Sequence, residues 1–305
     1  MIHRLLILLV AGLVLAAPAA MAGTGKTSTN SPAVVIGPSE PPMQVLIVQG
    51  TGDCNSACPQ WIAAQGEITA ASPGRFAKVL RQMGKRKLPV ILNSPGGSIA
   101  ASLEIGRMIR KAGLDVAIGR TSILGCPALA ASCKKAKTRD GVYRGIASTA
   151  VSYCNSACHL VLAAGTERLV PPGSSVGVHQ ARTVWNREVV TYRERYRIVA
   201  GEKQVIDRKV VSRKPAKPKI TYGYDKSLRR TLTSYYKTMG IDPAVLAEAE
   251  KASFKDINFL SSAELDRLRL RTSGAGLGTL VGKGRCQKSP LPANCQASAV
   301  SAVTQ

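Results

Sequence analysis

Two short segments of this chain combine the residue types that acyl transfer uses. Asn93-Ser94-Pro95-Gly96-Gly97 follows one apolar run, and Cys154-Asn155-Ser156-Ala157-Cys158 precedes another. A serine attacks a carbonyl when it is exposed on a turn beside a base. That base needs an orienting acid, and backbone N–H groups must face the developing oxyanion. Ser156 precedes an apolar segment of helical character, where free N–H groups favour negative charge. The chain has only three histidines, so few bases are available. His179 ends a strand-like run 23 residues after Ser156, close enough in the chain to return to it. Gly96 and Gly97 would let a backbone N–H approach a substrate closely. Ser56 competes for the nucleophile role because Cys54-Asn55-Ser56-Ala57-Cys58 repeats the same pentapeptide. Pro59 follows it and no histidine-bearing unit accompanies it, so Ser156 is preferred. His159, three residues past Ser156, reads as structural.

The elements that must position these residues are legible as periodicities. Met43–Gln49 and Leu88–Leu92 are apolar runs of strand length, and the second leads straight into the Asn93–Gly97 turn. Ser72-Pro73 opens a helix reaching about Met83, with serine as N-cap and proline first in the helix. Ile99, Leu103, Ile105, Met108 and Ile109 recur at helical spacing until Gly113 stops the helix, and Val116–Ile118 is a third strand. Strand, glycine turn, helix and strand form a βαβ unit and imply a largely parallel sheet. Ile146–Ser152 reads as a strand leading into a short helix over Tyr153–Gly165, and Val176–His179 as a further strand. Helices are expected at Lys226–Met239 and Ala244–Lys251, and Ser261-Ser262-Ala263-Glu264 is a capping box for a last short one. Gly274–Gln305 reads as peripheral.

Composition bounds the rest. Of 305 residues 45% are hydrophobic and 20% charged, enough apolar material for a core and too much for global disorder. Lys and Arg number 42 against 18 Asp and Glu, so the net charge of +24 favours anionic partners. Met1–Arg4, the apolar run Leu5–Ala17 and Ala20-Met21-Ala22 have the form of a cleaved signal peptide, residues 1–22. Export to the periplasm or beyond suits eight cysteines without a CxxC motif, read as disulfides, with Cys126–Cys133 and Cys286–Cys295 as expected pairs. An i, i+4 bridge between Cys154 and Cys158 is awkward on a regular helix. Either that turn is non-helical or the two sulfurs pair elsewhere. Residues 121–144 and 187–224 look like basic insertions. From Arg187 to Arg230, 14 basic residues face 5 acidic ones with several tyrosines among them. Nucleic acid is not the expected partner, because export argues against it. The stretch reads first as a solvated insertion, with anionic lipid head groups or envelope polymer as the alternative contact.

Residues 92–109 and 154–180 resemble the ClpP-type serine peptidases of the ClpP/crotonase superfamily, most closely its secreted bacterial members. The shared pattern is an N-S-P-G-G turn and a serine followed nine residues later by glycine (Ser156, Gly165). A proline turn (Pro171-Pro172) and a strand ending in His179-Gln180 complete it. The Ser–His separation is slightly shorter than in typical ClpP. The resemblance spans about 44–272, after a flexible lead-in at 23–43 and before a tail at 273–305 bearing one cysteine pair. It implies an α/β fold, a spiral of repeated ββα units carrying the two insertions. It also implies Ser156 as nucleophile, His179 as general base, and Gly97 and Ala157 N–H groups as the oxyanion hole. The orienting acid matches Asp256, one residue further from Phe259 than in the family, with Asn258 and Asp225 as alternatives.

The function expected is an exported, ATP-independent serine hydrolase cleaving peptides or unfolded proteins without a cofactor, since no GxxxxGK[ST] motif occurs. Relatives often form rings, so a homo-oligomer is among the expected partners. Two other readings stand beside it. One is a non-catalytic basic module binding the envelope through the same fold, and the other is an acyl-ester or thioester hydrolase.

Overall fold

Apolar runs without alternation belong in strands covered on both faces, and the central sheet has that form. The structure, a computed structural model, describes residues 40–51, 57–126 and 141–297. The chain begins with β1 (Gln44–Gly50), β2 (Ala57–Gln65), α1 (Ser72–Met83), β3 (Val90–Asn93), α2 (Ile99–Ala112) and β4 (Val116–Ile118). It continues with β5 (Arg120–Ile123), β6 (Tyr143–Ser148), β7 (Ser152–Asn155), α3 (Cys158–Ala163), β8 (Arg168–Leu169) and β9 (Ser174–Val178). A long hairpin, β10 (Arg182–Val199) and β11 (Glu202–Tyr222), leads to α4 (Lys226–Met239), α5 (Val245–Glu250), β12 (Asn258–Phe259) and α6 (Ser262–Arg267). The C-terminal part holds α7 (Gly278–Val281), a 3-10 turn (Lys283–Gln287) and β13 (Cys295–Ala297).

The main sheet runs β5-β6-β1-β2-β3-β4-β8, with β13 added to β2. From β2 onward each neighbour is parallel to the last and is reached through a helix: α1 to β3, α2 to β4, and α3 to β8. Laying each strand beside its predecessor advances the chain as a spiral, the α/β arrangement expected. A small second sheet, β12-β9-β7, stands where the spiral meets the Asn93–Gly97 turn.

Alternate residues of the central strands serve two cores. Ile62, Val90, Leu92, Val116 and Ile118 face the helices, against Phe76, Ile105, Ile109 and Leu160. Trp61, Ala63, Ile91 and Ala117 face the other way and are covered by Leu277 and Leu280. Residues 273–297 are therefore no peripheral tail. They supply the second layer, pair β13 with β2, and close the Cys286–Cys295 disulfide.

Other expectations need correcting. Tyr153, Cys154 and Asn155 are strand, not helix, because Ser94 and β9 claim their backbone groups, and α3 starts only at Cys158. The N-cap of α1 is Ala71. Ser72 lies inside the helix and its hydroxyl accepts from the Thr69 amide at 2.9 Å. The flanks of the insertion expected at 121–144 are sheet strands, β5 paired antiparallel with β6. Residues 40–43 of the expected lead-in are tied to the fold: Met43 is buried and its amide donates to the Glu67 carbonyl, and the Pro41 carbonyl accepts from the Glu67 amide. The signal segment, residues 23–39, Ser56 and Cys133 lie outside the described residues. Cys58 and Cys126 are both disulfide-bonded.

Candidate active site

Ser156 sits at a sharp corner between a strand and a helix. β7 ends at Asn155, α3 begins at Cys158, and Ser156 between them has φ 53°, in the left-handed region that non-glycine residues seldom occupy. The corner is non-helical, so Cys154 and Cys158 come within 5.2 Å (Cα–Cα) and form a disulfide bracketing the serine. The Ser156 amide donates to the Gly177 carbonyl at 2.8 Å. Its carbonyl accepts from His159 Nδ1 at 2.5 Å, and His159 Nε2 accepts from the Tyr236 hydroxyl at 2.6 Å. Burial drives the His159 pKa down to about 4, so the ring is neutral and its tautomer is set by these two partners. Both backbone groups of Ser156 are thus held, while the residue as a whole remains half-buried.

The Asn93–Gly97 turn is bound against this corner. Asn93 Oδ1 accepts from the Tyr153 amide at 2.9 Å, and the Asn155 amide donates to the Ser94 carbonyl at 3.0 Å. Ser94 Oγ donates to the Gly66 carbonyl at 2.7 Å and accepts from the Gly96 amide at 3.1 Å. Gly96 has φ 100°, and a Cβ there would lie 2.6 Å from Ser156 Cβ, 2.6 Å from the Asn155 carbonyl oxygen and 3.0 Å from the Ala157 nitrogen. At Gly97, with φ 131°, a Cβ would fall 2.2 Å from the Ile68 carbonyl oxygen. Only glycines let the turn fit between Ile68 and Ser156. Among the described residues neither the Gly97 nor the Ala157 amide donates a hydrogen bond.

β9 runs parallel to β7 with Gly177 opposite Asn155, so His179 follows the strand end beside the Ser156–Ala157 corner. Its imidazole is half-buried, with Phe254 edge-on at 5.4 Å, and the Tyr224 hydroxyl donates to its carbonyl at 3.0 Å. Burial lowers its pKa below the ordinary imidazole value. Among the described residues, Nδ1 of His179 and Oδ1 of Asn155 are buried and have no hydrogen-bond partner.

None of the three candidate orienting groups touches that Nδ1 atom. The Asp256 carboxylate accepts from Ser253 Oγ at 2.7 Å and is exposed. Asn258 donates to the Glu248 carbonyl at 3.0 Å, and Asp225 caps α4 by accepting from the Leu228 amide at 2.8 Å. The segment carrying Asp256 does pass His179, for Phe254 packs on the imidazole and Asn258 pairs with Val178 in the adjoining strand.

No protein-family model matches this sequence, and no curated protein matches it. Among solved structures it is similar to a mutant of the 1510-N membrane-bound stomatin-specific protease, at 13% identity and TM-score 0.38, over 76% of this chain and 86% of that one. A second mutant of that protease, in complex with a substrate peptide, gives 13% identity and TM-score 0.39, over 77% and 84% of the two chains. A ClpP1 mutant from Listeria monocytogenes gives 12% and 0.34, over 68% and 86%. At these scores the likenesses assign no role to any residue.

The backbone therefore sets Ser156 and Ala157 against the Asn93–Gly97 turn, with His179 just past the end of the adjoining strand, while the Asp256 carboxylate is held by Ser253. Tyr236, Tyr224 and Phe254 were not legible as site residues. They lie in or beside α4 and α5, far along the chain, and only the fold brings them to the corner. Among the described residues no group of three His, Cys, Asp or Glu side chains is placed to hold a metal ion. A half-buried serine at a strained corner, an imidazole whose pKa burial lowers and two unengaged amides are the parts that acyl transfer uses.

Proposed function

We propose that this protein is an exported serine hydrolase that cleaves peptide bonds without ATP. Ser156 Oγ attacks the carbonyl carbon while His179 takes the hydroxyl proton. The Gly97 and Ala157 amides hold the oxyanion. His179 then gives that proton to the leaving amine, and water hydrolyses the acyl-serine by the same steps in reverse. Asp256 is the proposed orienting acid. Of the three candidates it alone is held just by an exposed serine hydroxyl three residues back, so a side-chain rotation frees it.

The observation that carries this reading is the left-handed Ser156 corner, pressed against Gly96 and standing beside the strand that His179 follows. Strain of this kind, held on every side, is commonly part of a catalytic mechanism. Export is proposed because the two described disulfides, Cys154–Cys158 and Cys286–Cys295, suit an oxidising compartment.

The test is labelling of the oxidised, folded protein with a fluorophosphonate probe, beside Ser156→Ala and Ser56→Ala. Labelling lost only in Ser156→Ala is the expected result. No labelling of the folded wild type would leave the non-catalytic, envelope-binding reading in its place. Turnover of chromogenic esters with no cleavage of any peptide would instead favour the acyl-ester reading.

A further inference from the structure

The hairpin β10–β11 stands apart from both cores. Its strands are exposed on both faces along most of their length, and at about 3.3 Å per residue it extends for about 55 Å. Among the described residues only Phe254 meets it, at its base; a two-stranded ribbon so little covered is marginal in water, so a surface that covers it is the question its presence raises. Over residues 182–222 it has 12 Lys or Arg against 4 Asp or Glu.

Those charges are sorted by face. Directly opposed residues share a face and alternate along each strand. One face carries Val184, Tyr192, Tyr196, Ile198, Val205 and Val210, through the pairs Tyr192–Val210 and Tyr196–Val205 among others. Its cations are largely neutralised: Glu194 binds Arg208 and Lys203, and Glu188 binds Arg213. Lys203 and Arg208 also lie over the Tyr196 and Tyr192 rings, at 4.5 and 5.1 Å from their centroids. The opposite face presents Arg187, Arg193, Arg197, Lys209, Lys214 and Lys219, none of which forms an ion pair among the described residues. Trp185, Val189 and Val199 share that face, and Arg195 there pairs with Asp207 at 3.8 Å.

We propose that this ribbon docks on an anionic lipid bilayer, its tyrosine- and valine-bearing face against the headgroup–acyl boundary and its unpaired cations reaching the phosphates around both edges. The ribbon is only two strands wide, so long Lys and Arg stems on the far face span its edges and keep their charged ends at the headgroups. Tyrosine with a cation over its ring suits that boundary, where one end of the group is apolar and the other wet. A second copy on the same face is disfavoured, because two ribbons of the same strong positive charge would be brought together. A soluble polyanion would satisfy the cations and leave the Tyr, Val and Ile face in water. A bilayer surface takes the tyrosine-bearing face and the edge-reaching cations at once.

The experiment is vesicle co-sedimentation of the full oxidised chain. One set of vesicles is phosphatidylcholine alone and the other phosphatidylcholine mixed with phosphatidylglycerol, each over a salt series. Binding is expected to the anionic set at least about tenfold more tightly than to the neutral set, weakening steeply with salt. The triple variant Arg193→Glu, Arg197→Glu, Lys209→Glu should lose about 100-fold or more. Tyr192→Ser, Tyr196→Ser, Ile198→Ser should lose about tenfold or more, even at low salt. Far-UV circular dichroism matching wild type controls for folding in both variants. The proposal is overturned by equal binding to both vesicle types, by no binding, or by either folded triple variant binding like wild type. Tight binding to soluble polyphosphate that vesicles fail to compete would also overturn it. The ribbon is independent of Ser156 reactivity, so these outcomes and those of the labelling test are separate.

Discussion

A serine at φ 53° carries a conformational cost of about 1–3 kcal/mol that its surroundings must offset, and Gly96 is part of that surrounding. Because an alanine Cβ at 96 would overlap both Ser156 Cβ and the Asn155 carbonyl at 2.6 Å, and φ is 100° there, Gly96→Ala must push the turn and the corner apart. The expected outcome is a loss of about 100-fold or more in probe-labelling rate, with far-UV circular dichroism little changed. A rate within about threefold of wild type would mean that the turn plays no part in the site. His179 makes a second prediction at this scale. Its pKa is depressed by burial, and as a base it works only when neutral, so activity should fall with acid through a pKa below the ordinary 6.5. Asp256→Asn tests the orienting role: a drop of about 1000-fold or more in kcat/KM is expected if the carboxylate swings to Nδ1. A change of less than about tenfold would leave Ser156 and His179 working as a pair. As candidates, Ser156, His179 and Gly97 were legible in the sequence because each belongs to a compact local pattern. The orienting group was not, since its assignment turns on which way one exposed side chain points.

Elements whose apolar residues keep one face inward were equally legible: α4 occupies Lys226–Met239, and the capping box at Ser261 and Glu264 opens α6. Elements defined by pairing were not. β7 is strand because Ser94 and β9 bond its backbone, and β10–β11 is a hairpin through long cross-strand register, neither visible in local periodicity. The link between α3 and α4 through His159 and Tyr236 makes a prediction about pH. The unfolded ring takes a proton near 6.5 and the folded one only near about 4, so acid favours unfolding over that interval. This histidine's contribution is full above pH 6.5 and lost as pH falls toward 4, on the order of 3 kcal/mol. Denaturation midpoints measured between pH 7 and 4 should fall in wild type, and more gently in His159→Gln, which starts lower for want of the packed ring. Parallel slopes would dissociate the histidine from the effect. The disulfide across the corner acts at the same scale. Cys154→Ser with Cys158→Ser should cost about 2 kcal/mol and slow labelling of Ser156 by about tenfold or more, because nothing covalent then holds the turn. Labelling at the wild-type rate would show that the hydrogen bonds to Gly177 and His159 suffice.

At the scale of the whole molecule, strands such as Val90-Ile91-Leu92 and Val116-Ala117-Ile118 demand two covering layers, and sequence patterning located only one. The helices supply the first. The second is built from residues 273–297, whose glycine, alanine and serine content concealed it, and its anchors are few but well placed. Leu277 and Leu280 pack on the face of Trp61 and Ile91, Asn294 donates through Nδ2 to the Gln60 and Leu280 carbonyls, and β13 extends β2. Ending the chain after Thr272 should therefore uncover Trp61, which is 1% exposed in the intact protein. Burying one leucine-sized side chain stabilises by about 1.5–3 kcal/mol. Loss of two such anchors, and of the hydrogen bonds beside them, removes several kcal/mol from a domain whose total is about 5–15 kcal/mol. The truncated chain should show a red-shifted tryptophan emission, faster iodide quenching and a melting temperature lower by about 10 °C or more. Trp185 on the exposed ribbon contributes a constant background, so the comparison is made in Trp185→Phe to isolate Trp61. Unchanged emission and melting would mean that the helical layer alone holds the sheet, and that the C-terminal layer neither shields Trp61 nor stabilises the fold.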